Sequence, residues 1–592
     1  MIRENSIISK RVKYSIIASV FFGNLALCFV LPKITPIYFA TNDDCRIRVI
    51  VNGLYTGTPN GNAVFMNYLL TSFLAFLYRS FPGVEWYGGF FYFSIFFANS
   101  IIESLFLTKS VHLKDLIFRG MIVLFYTAVT VVNHMLLQFT VTAGYWAALA
   151  LTMAVSFIHS IEKNGSTRKN VFFAVMALFA SWMSIMCRLR VFLLAFPLLG
   201  GYLVTSLIRS SVKRILRCVL PVSMVLLALL VNIGIDISQK FDENQYFLEF
   251  KSARSLIYDY TGYADYEENR EFYDSIGLSK EAYDCLDGRL YDINEELTAE
   301  RINLVAEYTE KLNRKNLPGR LWTSLAGVWD GIFQQQVNHE IVLFLLITAL
   351  LLLQPFTVYS KERKLLVCLV FMYCFGCLAF LLFRGRLVPR VTQSVELLAI
   401  AAVFLVHEET EPALLSDKPA GYAEAKSGIV NAIRAALVVL TCVSVFASAY
   451  LFWTDSDGRR KTLMEQAELH YAMEEYMADH PDGFLFYNSR EFGGYSDNVF
   501  ENRHLGKPLR IDSLGNWTVF SDVYYERNEQ FGFHSALEAF LEKDEFYYAQ
   551  LSTGKPRIKG TLENLGKKLK KTDVIEVGDY KINIYRCIDM EK

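Results

Sequence analysis

Apolar runs recur along the whole chain, near residues 14–31, 62–80, 86–107, 116–136, 143–160, 171–187, 191–208, 216–235, 340–358, 365–383, 392–407 and 430–453. An α-helix rises about 1.5 Å per residue, so roughly 20 apolar residues cover the hydrocarbon core of a bilayer. So many segments of that length are buried together only in a polytopic helical membrane protein. Composition agrees: 53% of the 592 residues are hydrophobic and only 20% are charged, which does not suit a water-soluble protein of this size.

Charge orients the runs. Arg3, Lys10, Arg11 and Lys13 precede the first run, which ends in Leu31-Pro32-Lys33 with no small-residue cleavage site. It reads as a retained span with the N-terminus cytoplasmic. The basic segments Lys163–Lys169, Arg209–Arg217 and Lys361–Lys364 belong on the same side by the positive-inside rule. Alternation then places three polar stretches outside the cytoplasm: the loop 33–85, the insert 236–338 and everything from 455 onward. For Lys163–Lys169 to face inward, one earlier run must fail to cross. The basic stretch Thr108–Arg119 marks 62–80 as that run, a juxtamembrane or re-entrant helix. The expectation is about 11 spans, hence a multi-pass cell-membrane protein.

The C-terminal stretch reads differently. Lys461–Ala478 is an amphipathic helix stopped by His480-Pro481-Asp482-Gly483. Phe484–Tyr487 and Glu545–Tyr548 read as strands, Ser535–Glu542 as a helix, and Val574–Val577 with Tyr580–Tyr585 as a closing hairpin. The fold class is thus mainly α, with a transmembrane domain over 1–454 and a small extracytoplasmic α/β domain over 455–592.

Asp43 and Asp44 carry the clearest chemistry. They follow the first span in Ala40-Thr41-Asn42-Asp43-Asp44-Cys45-Arg46. Two adjacent carboxylates at a membrane exit raise each other's pKa if buried. So placed, one can act as general base on a hydroxyl, or the pair can hold a divalent cation. The bland alternative is a solvated loop with two ordinary acids. No metal or cofactor is named by the residues. A net charge of −1 gives no sign of a nucleic-acid partner.

A second group is cationic. Phe383-Arg384-Gly385-Arg386-Leu387-Val388-Pro389-Arg390 falls at an outer boundary, where clustered arginines oppose the positive-inside bias. Guanidinium pairs bidentately with phosphate, so Arg384, Arg386 and Arg390 are candidate phosphate ligands rather than headgroup anchors. Arg188 and Arg190 fall at the outer turn between the runs 171–187 and 191–208 and can join them or snorkel. In the insert, Arg254, Asp259 and Tyr260 could grip a polar acceptor or sugar ring, or form an amphipathic surface helix. Glu103 and Glu396 fall in or near spans; Glu103 is expected to reach water at an inner end, and Glu396 to pair with an arginine of the cluster. Cys374-Phe375-Gly376-Cys377 lies within an apolar run, where thiols pack as small hydrophobes.

The acidic pair in the first external loop, the many spans and the external C-terminal domain resemble the GT-C superfamily of membrane glycosyltransferases. The matching residues are Thr41-Asn42-Asp43-Asp44, then Gly57-Thr58-Pro59-Asn60-Gly61-Asn62 and Leu77-Tyr78-Arg79. The layout is similar to that of aminoarabinose and protein O-mannosyl transferases and of bacterial polysaccharide-modifying enzymes. The resemblance implies a polyprenyl-phosphate sugar as donor and a glycan or lipid of the cell envelope as acceptor. It also implies that Asp43 or Asp44 is the base, and that Arg384, Arg386, Arg390 and Arg190 balance charge on the leaving phosphate. The chain departs from the oligosaccharyltransferase branch, since no Trp-Trp-Asp occurs in the C-terminal domain. Two other classes compete. A transporter or lipid flippase needs polar groups deep in the spans and broken helices. A glycan polymerase or ligase would use outer arginines without the acid pair.

Overall fold

The computed structural model of the chain describes residues 8–163, 165–209, 227, 229–236, 244–314, 318–319, 322–323, 326–327, 339–353, 357–358, 361–384, 388–408, 411–412, 424–501, 508–554 and 556–590. Most of the run 216–235, the basic residues after Arg209 and Arg386 lie outside them. The chain forms two compact units. The first comprises Met1–Ile37, Gly89–Asn232 and Trp322–Gly458; the second comprises Tyr38–Gly88, Ile233–Leu321 and Arg459–Lys592. Hydropathy draws one linear boundary, at 454/455. The compact units instead group the first loop and the insert with the C-terminal segment.

The first unit holds the apolar helices. Among the described residues eight helices are long and apolar enough to cross a membrane: Lys10–Ile34 (α1), Trp86–Thr108, Leu113–Met135, Phe139–Glu162, Thr167–Leu193, Arg363–Phe383, Pro389–His407 and Ala435–Ala478. Ala195–Val204 and Ile341–Leu353 are shorter apolar helices. The chain is therefore a helical membrane protein. Phe139–Glu162 is its hub, with nearly every residue buried. Its small residues Ala143, Gly144, Ala147 and Ala148 let neighbouring backbones approach, as small residues do where lipid supplies no hydrophobic drive. A methyl group on Gly144 would press on Ser394. The Ser394 hydroxyl donates to the Thr140 carbonyl (3.1 Å), and Ser184 donates to the Ala143 carbonyl (2.9 Å). Glu103 does not reach water. It is 2% exposed and accepts from Asn24 Nδ2 (2.8 Å) and the Thr127 hydroxyl (2.9 Å), which replace hydration.

The second unit is built on a five-stranded sheet. Its strands are β1 (Phe484–Asn488), β2 (Ile511–Leu514), β3 (Phe546–Leu551), β4 (Lys567–Val577) and β5 (Tyr580–Asp589), in the order β2-β1-β3-β5-β4. β1 runs parallel to β2 and β3, while β5 is antiparallel to β3 and β4. Side chains alternate across the strands and feed two cores. Phe484, Phe486, Phe546 and Tyr548 pack with the insert, whose Cys285, Leu286 and Ile302 are buried there. Leu485, Tyr487, Tyr547 and Ala549 pack on Val49, Ile50, Leu54 and Tyr55 of the first loop. The helix expected over Lys461–Ala478 is the end of a longer one, Glu424–Ala478. Hydropathy marks where apolar residues stop, whereas helix propensity continues until Pro481.

The first loop is folded. Two helices, α2 (Asn42–Val51) and α3 (Tyr68–Ser80), flank a tight segment. Gly53 (φ +89°) turns the chain so closely onto Pro59 that a Cβ there would strike its backbone. Arg79 holds the Pro59 carbonyl (2.6 Å), and Thr71 holds that of Gly61 (2.6 Å). α3 is the run 62–80 and is not among the eight candidate spans.

Two arginines on α2, Arg48 buried and Arg46 partly so, tie this loop to the sheet. Arg46 donates to Asp512 (2.6 Å), which also binds Arg527. Arg48 bridges Glu85 (2.9 Å) and Asp497 and donates to the Val499 carbonyl (3.2 Å). Removing one partner of such a buried group costs about 3–5 kcal/mol, because the remaining charges stay desolvated. Arg48→Met should therefore lower the melting temperature of the detergent-solubilised protein sharply. A melting temperature near that of the parent would mean that Glu85 and Asp497 do not depend on this cation.

Candidate functional site

The acid pair lies in the first turn of α2, where the helix macrodipole favours negative charge. Thr41 precedes the helix in extended conformation, which fits the Thr-x-x-Asp spacing of a helix start. Its hydroxyl donates to Asp44 Oδ2 (2.6 Å), while the Tyr87 hydroxyl approaches Oδ1 (3.4 Å). Asp44 is fully buried and Asp43 is 6% exposed. The solvated-loop alternative therefore does not describe these residues. Tyr87 is itself held: its N–H donates to the Tyr78 hydroxyl (3.0 Å), which donates to Glu85 (2.6 Å). From Glu85 the network runs on to Arg48 and Asp497. One guanidinium between two buried carboxylates leaves surplus negative charge. Asp497 is pushed above the usual carboxylate range, by burial first, with Arg48 offsetting only part of it. Asp512 shifts the other way. Burial opposes its ionisation, but Arg46 and Arg527 together outweigh it and hold it low.

Arg254 is turned into the C-terminal segment. Its guanidinium donates to the carbonyls of Asn516 (2.6 Å) and Gly515 (2.8 Å) and lies over the rings of Trp517 (4.1 Å) and Tyr291 (4.7 Å). It is buried, and burial lowers its pKa. These contacts position the loop after β2. Asp259 accepts from Ser255 (2.7 Å) on a π-helical turn, Ile257–Thr261, and both Asp259 and Tyr260 stay partly exposed. Asp292 supports the same loop: its oxygens accept from the Gly515 N–H (3.1 Å) and the Tyr524 hydroxyl (3.3 Å). Burial raises its pKa to about 6.

Within the apolar unit the candidate arginines share one end. Arg384 follows the helix Lys361–Phe383, and Arg390 opens the helix Pro389–Glu408. One turn beyond Arg390, Ser394 bonds the first turn of Phe139–Glu162. One turn before Arg188, Ser184 bonds the same region, and the Arg188 guanidinium sits over the Phe139 ring (5.3 Å). Arg188 leaves helical conformation (φ −162°, ψ 97°), so the break falls where charge patterning places the outer turn, with Arg190 just after it. Arg386 lies outside the described residues. Among the described residues no three His, Cys, Asp or Glu side chains gather as metal ligands.

Arg46, Arg48, Glu85, Asp292, Asp497, Asp512 and Arg527 were not singled out from sequence. One signal was available. Along α2 the charges Asp44, Arg46 and Arg48 alternate with Cys45, Ile47 and Val49, an unusual pattern for a solvated helix. Comparison with protein-family models, with curated proteins and with solved structures finds no match to this chain.

Asp292 gives a pH signature. Its folded pKa lies above the ordinary 3.8, so the native state prefers the protonated form. Its contribution to stability is full at low pH and is lost as pH rises through about 6, a change on the order of 3 kcal/mol. Asp292→Asn stays neutral throughout. Its melting temperature relative to the parent should rise more at about pH 7.5 than at about pH 4.5. An equal difference at both would show that ionisation of Asp292 does not matter.

Proposed function

We propose that this protein is a membrane glycosyltransferase with the GT-C layout. It moves a sugar from a polyprenyl-phosphate donor to a cell-envelope glycan or lipid acceptor on the outer face of the cell membrane. One observation carries the reading: a buried acid pair, whose Asp44 is held by two hydroxyls, lies a few residues after the apolar helix α1 ends at Ile34. The arginines gathered at one end of the apolar unit add to it.

In this reading Asp43 removes the proton from an acceptor hydroxyl. The hydroxyl oxygen attacks the anomeric carbon from the face opposite the phosphate, the carbon–oxygen bond to phosphate breaks, and the sugar leaves with inverted configuration. Asp44, anchored by Thr41 and Tyr87, keeps its neighbour in place. Arg384, Arg386, Arg390 and Arg190 offset charge on the departing polyprenyl phosphate, where fixed cations help most as the bond breaks. The bound Glu103 suits a transporter as well. Its hydrogen bonds to Asn24 and Thr127 also serve a purely structural anchor, so transfer remains the stronger reading.

Purified protein with radiolabelled polyprenyl-phosphate sugars tests the chemistry. Asp43→Asn should reduce transfer by about 10²–10⁴-fold, the usual cost of losing a general base, with insertion intact. Transfer within about threefold of the parent in both Asp43→Asn and Asp44→Asn would sink the mechanism. Orientation is tested separately with an impermeant thiol reagent on intact cells. In a background lacking native cysteines, Gly83→Cys and Gly458→Cys should both label without permeabilisation. Labelling only after permeabilisation would place these segments in the cytoplasm and reverse the proposed topology.

A further inference from the structure

The second unit carries a polar edge that the acid pair does not use. β1 comes first in sequence yet lies between β2 and β3. The chain leaves β1 for β2 on one side, then crosses to β3 on the other. Open α/β sheets bind ligands outside the carboxyl ends of their parallel strands, at such a reversal of strand order. Here that place is the carboxyl ends of β1 and β3.

The residues there are not an ordinary solvated rim. The register pairs Tyr487 with Ala549, so the next pair is Asn488 and Gln550, which share one face of the sheet. Asn488 is fully buried at the strand end, where its Oδ1 caps the Arg490 N–H (2.9 Å). Among the described residues nothing accepts from its Nδ2. A buried amide donor with no acceptor is costly and rare, unless a ligand completes it. Gln550 accepts from the Tyr548 hydroxyl (3.1 Å) and donates to Glu491. Beside them Asp287 gathers Arg490 (2.8 Å), Arg557 and the Tyr263 hydroxyl (2.7 Å). Arg490 and Arg557 keep 47% and 36% of their side chains exposed, so the cluster opens to solvent.

We infer that this edge is a saccharide-binding site, formed by Asn488, Glu491, Gln550, Asp287, Arg490 and Arg557. The mixture of groups selects the ligand class. A phosphate needs donors only and would be repelled by Asp287 and Glu491. Vicinal hydroxyls of a sugar ring both donate and accept, and here guanidinium and amide donors alternate with carboxylate acceptors. The half-buried Tyr263 ring adds an apolar surface for the face of a pyranose. The site deepens the transferase reading by naming a neutral glycan as acceptor, and it rests on that reading only for the use made of the bound sugar.

The test uses full-length, fluorescently labelled protein in nanodiscs on a printed panel of neutral oligosaccharides. Binding to a subset is expected, weakened about tenfold or more in Arg490→Ala and Arg557→Ala, with melting temperatures unchanged. Ser552→Trp, at an exposed position in the turn after β3, should block the edge if either alanine variant proves unstable. No binding across the panel, or equal binding in all three variants, overturns the inference. Displacement of every bound oligosaccharide by inorganic phosphate also overturns it and makes the edge an anion site. Asp43→Asn should bind like the parent. Retained binding with transfer within about threefold of the parent in both Asp43→Asn and Asp44→Asn would sink the transfer mechanism and leave the saccharide site standing.

Discussion

Arg48 lies between Glu85 and Asp497 with almost none of its side chain in water, and the partly buried Arg46 on the same helix meets the buried Asp512. Taking such groups out of water is expensive, and geometry must be good to repay it. The partners lie far apart in sequence, so the bridges form only when loop, sheet and helix α2 are all in register. α2 carries the acid pair in its first turn. The position of Asp43 and Asp44 therefore depends on ion pairs in the following turns of the same helix.

The apolar unit solves a different problem. Lipid offers its helices no hydrophobic reward for association, so contact must come from close backbone approach and hydrogen bonds. Ala143, Gly144, Ser184 and Ser394 provide both around Phe139–Glu162. The same contacts bring the break at Arg188 and the start of the helix at Pro389 to one end of the unit. Helix ends that carry arginines some 200 residues apart in sequence are thus both packed on the first turns of Phe139–Glu162.

Much of this architecture was legible in the chain. The apolar runs, the break near Arg188 and the hairpin turning at Gly578 all follow local rules of hydropathy, charge and turn chemistry. β2 was not legible. Ile511-Asp512-Ser513-Leu514 is short and half polar; it is a strand through its parallel ladder with β1, and Arg46 and Arg527 offset the buried charge of Asp512. Arg254 reads from sequence as a ligand-binding side chain, yet its donors hold two backbone carbonyls after β2. No local pattern separates an arginine that binds a ligand from one that braces a loop, because both need only a charged, forked donor.

Sequence alone determined that this is a helical membrane protein with polar segments outside the spans, because transfer of apolar side chains out of water depends on each residue and its near neighbours. It also singled out Asp43 and Asp44, since adjacent acids at the end of an apolar run are unusual wherever they fold. Only the tertiary structure decided that the pair is buried and that Thr41 and Tyr87 hold Asp44. It alone decided that the first loop and the insert join the C-terminal sheet, and that Asn488 and Gln550 fall at the carboxyl ends of adjacent parallel strands. Those outcomes rest on desolvated ion pairs and strand register between distant residues, whose energies exist only once the partners have been brought together.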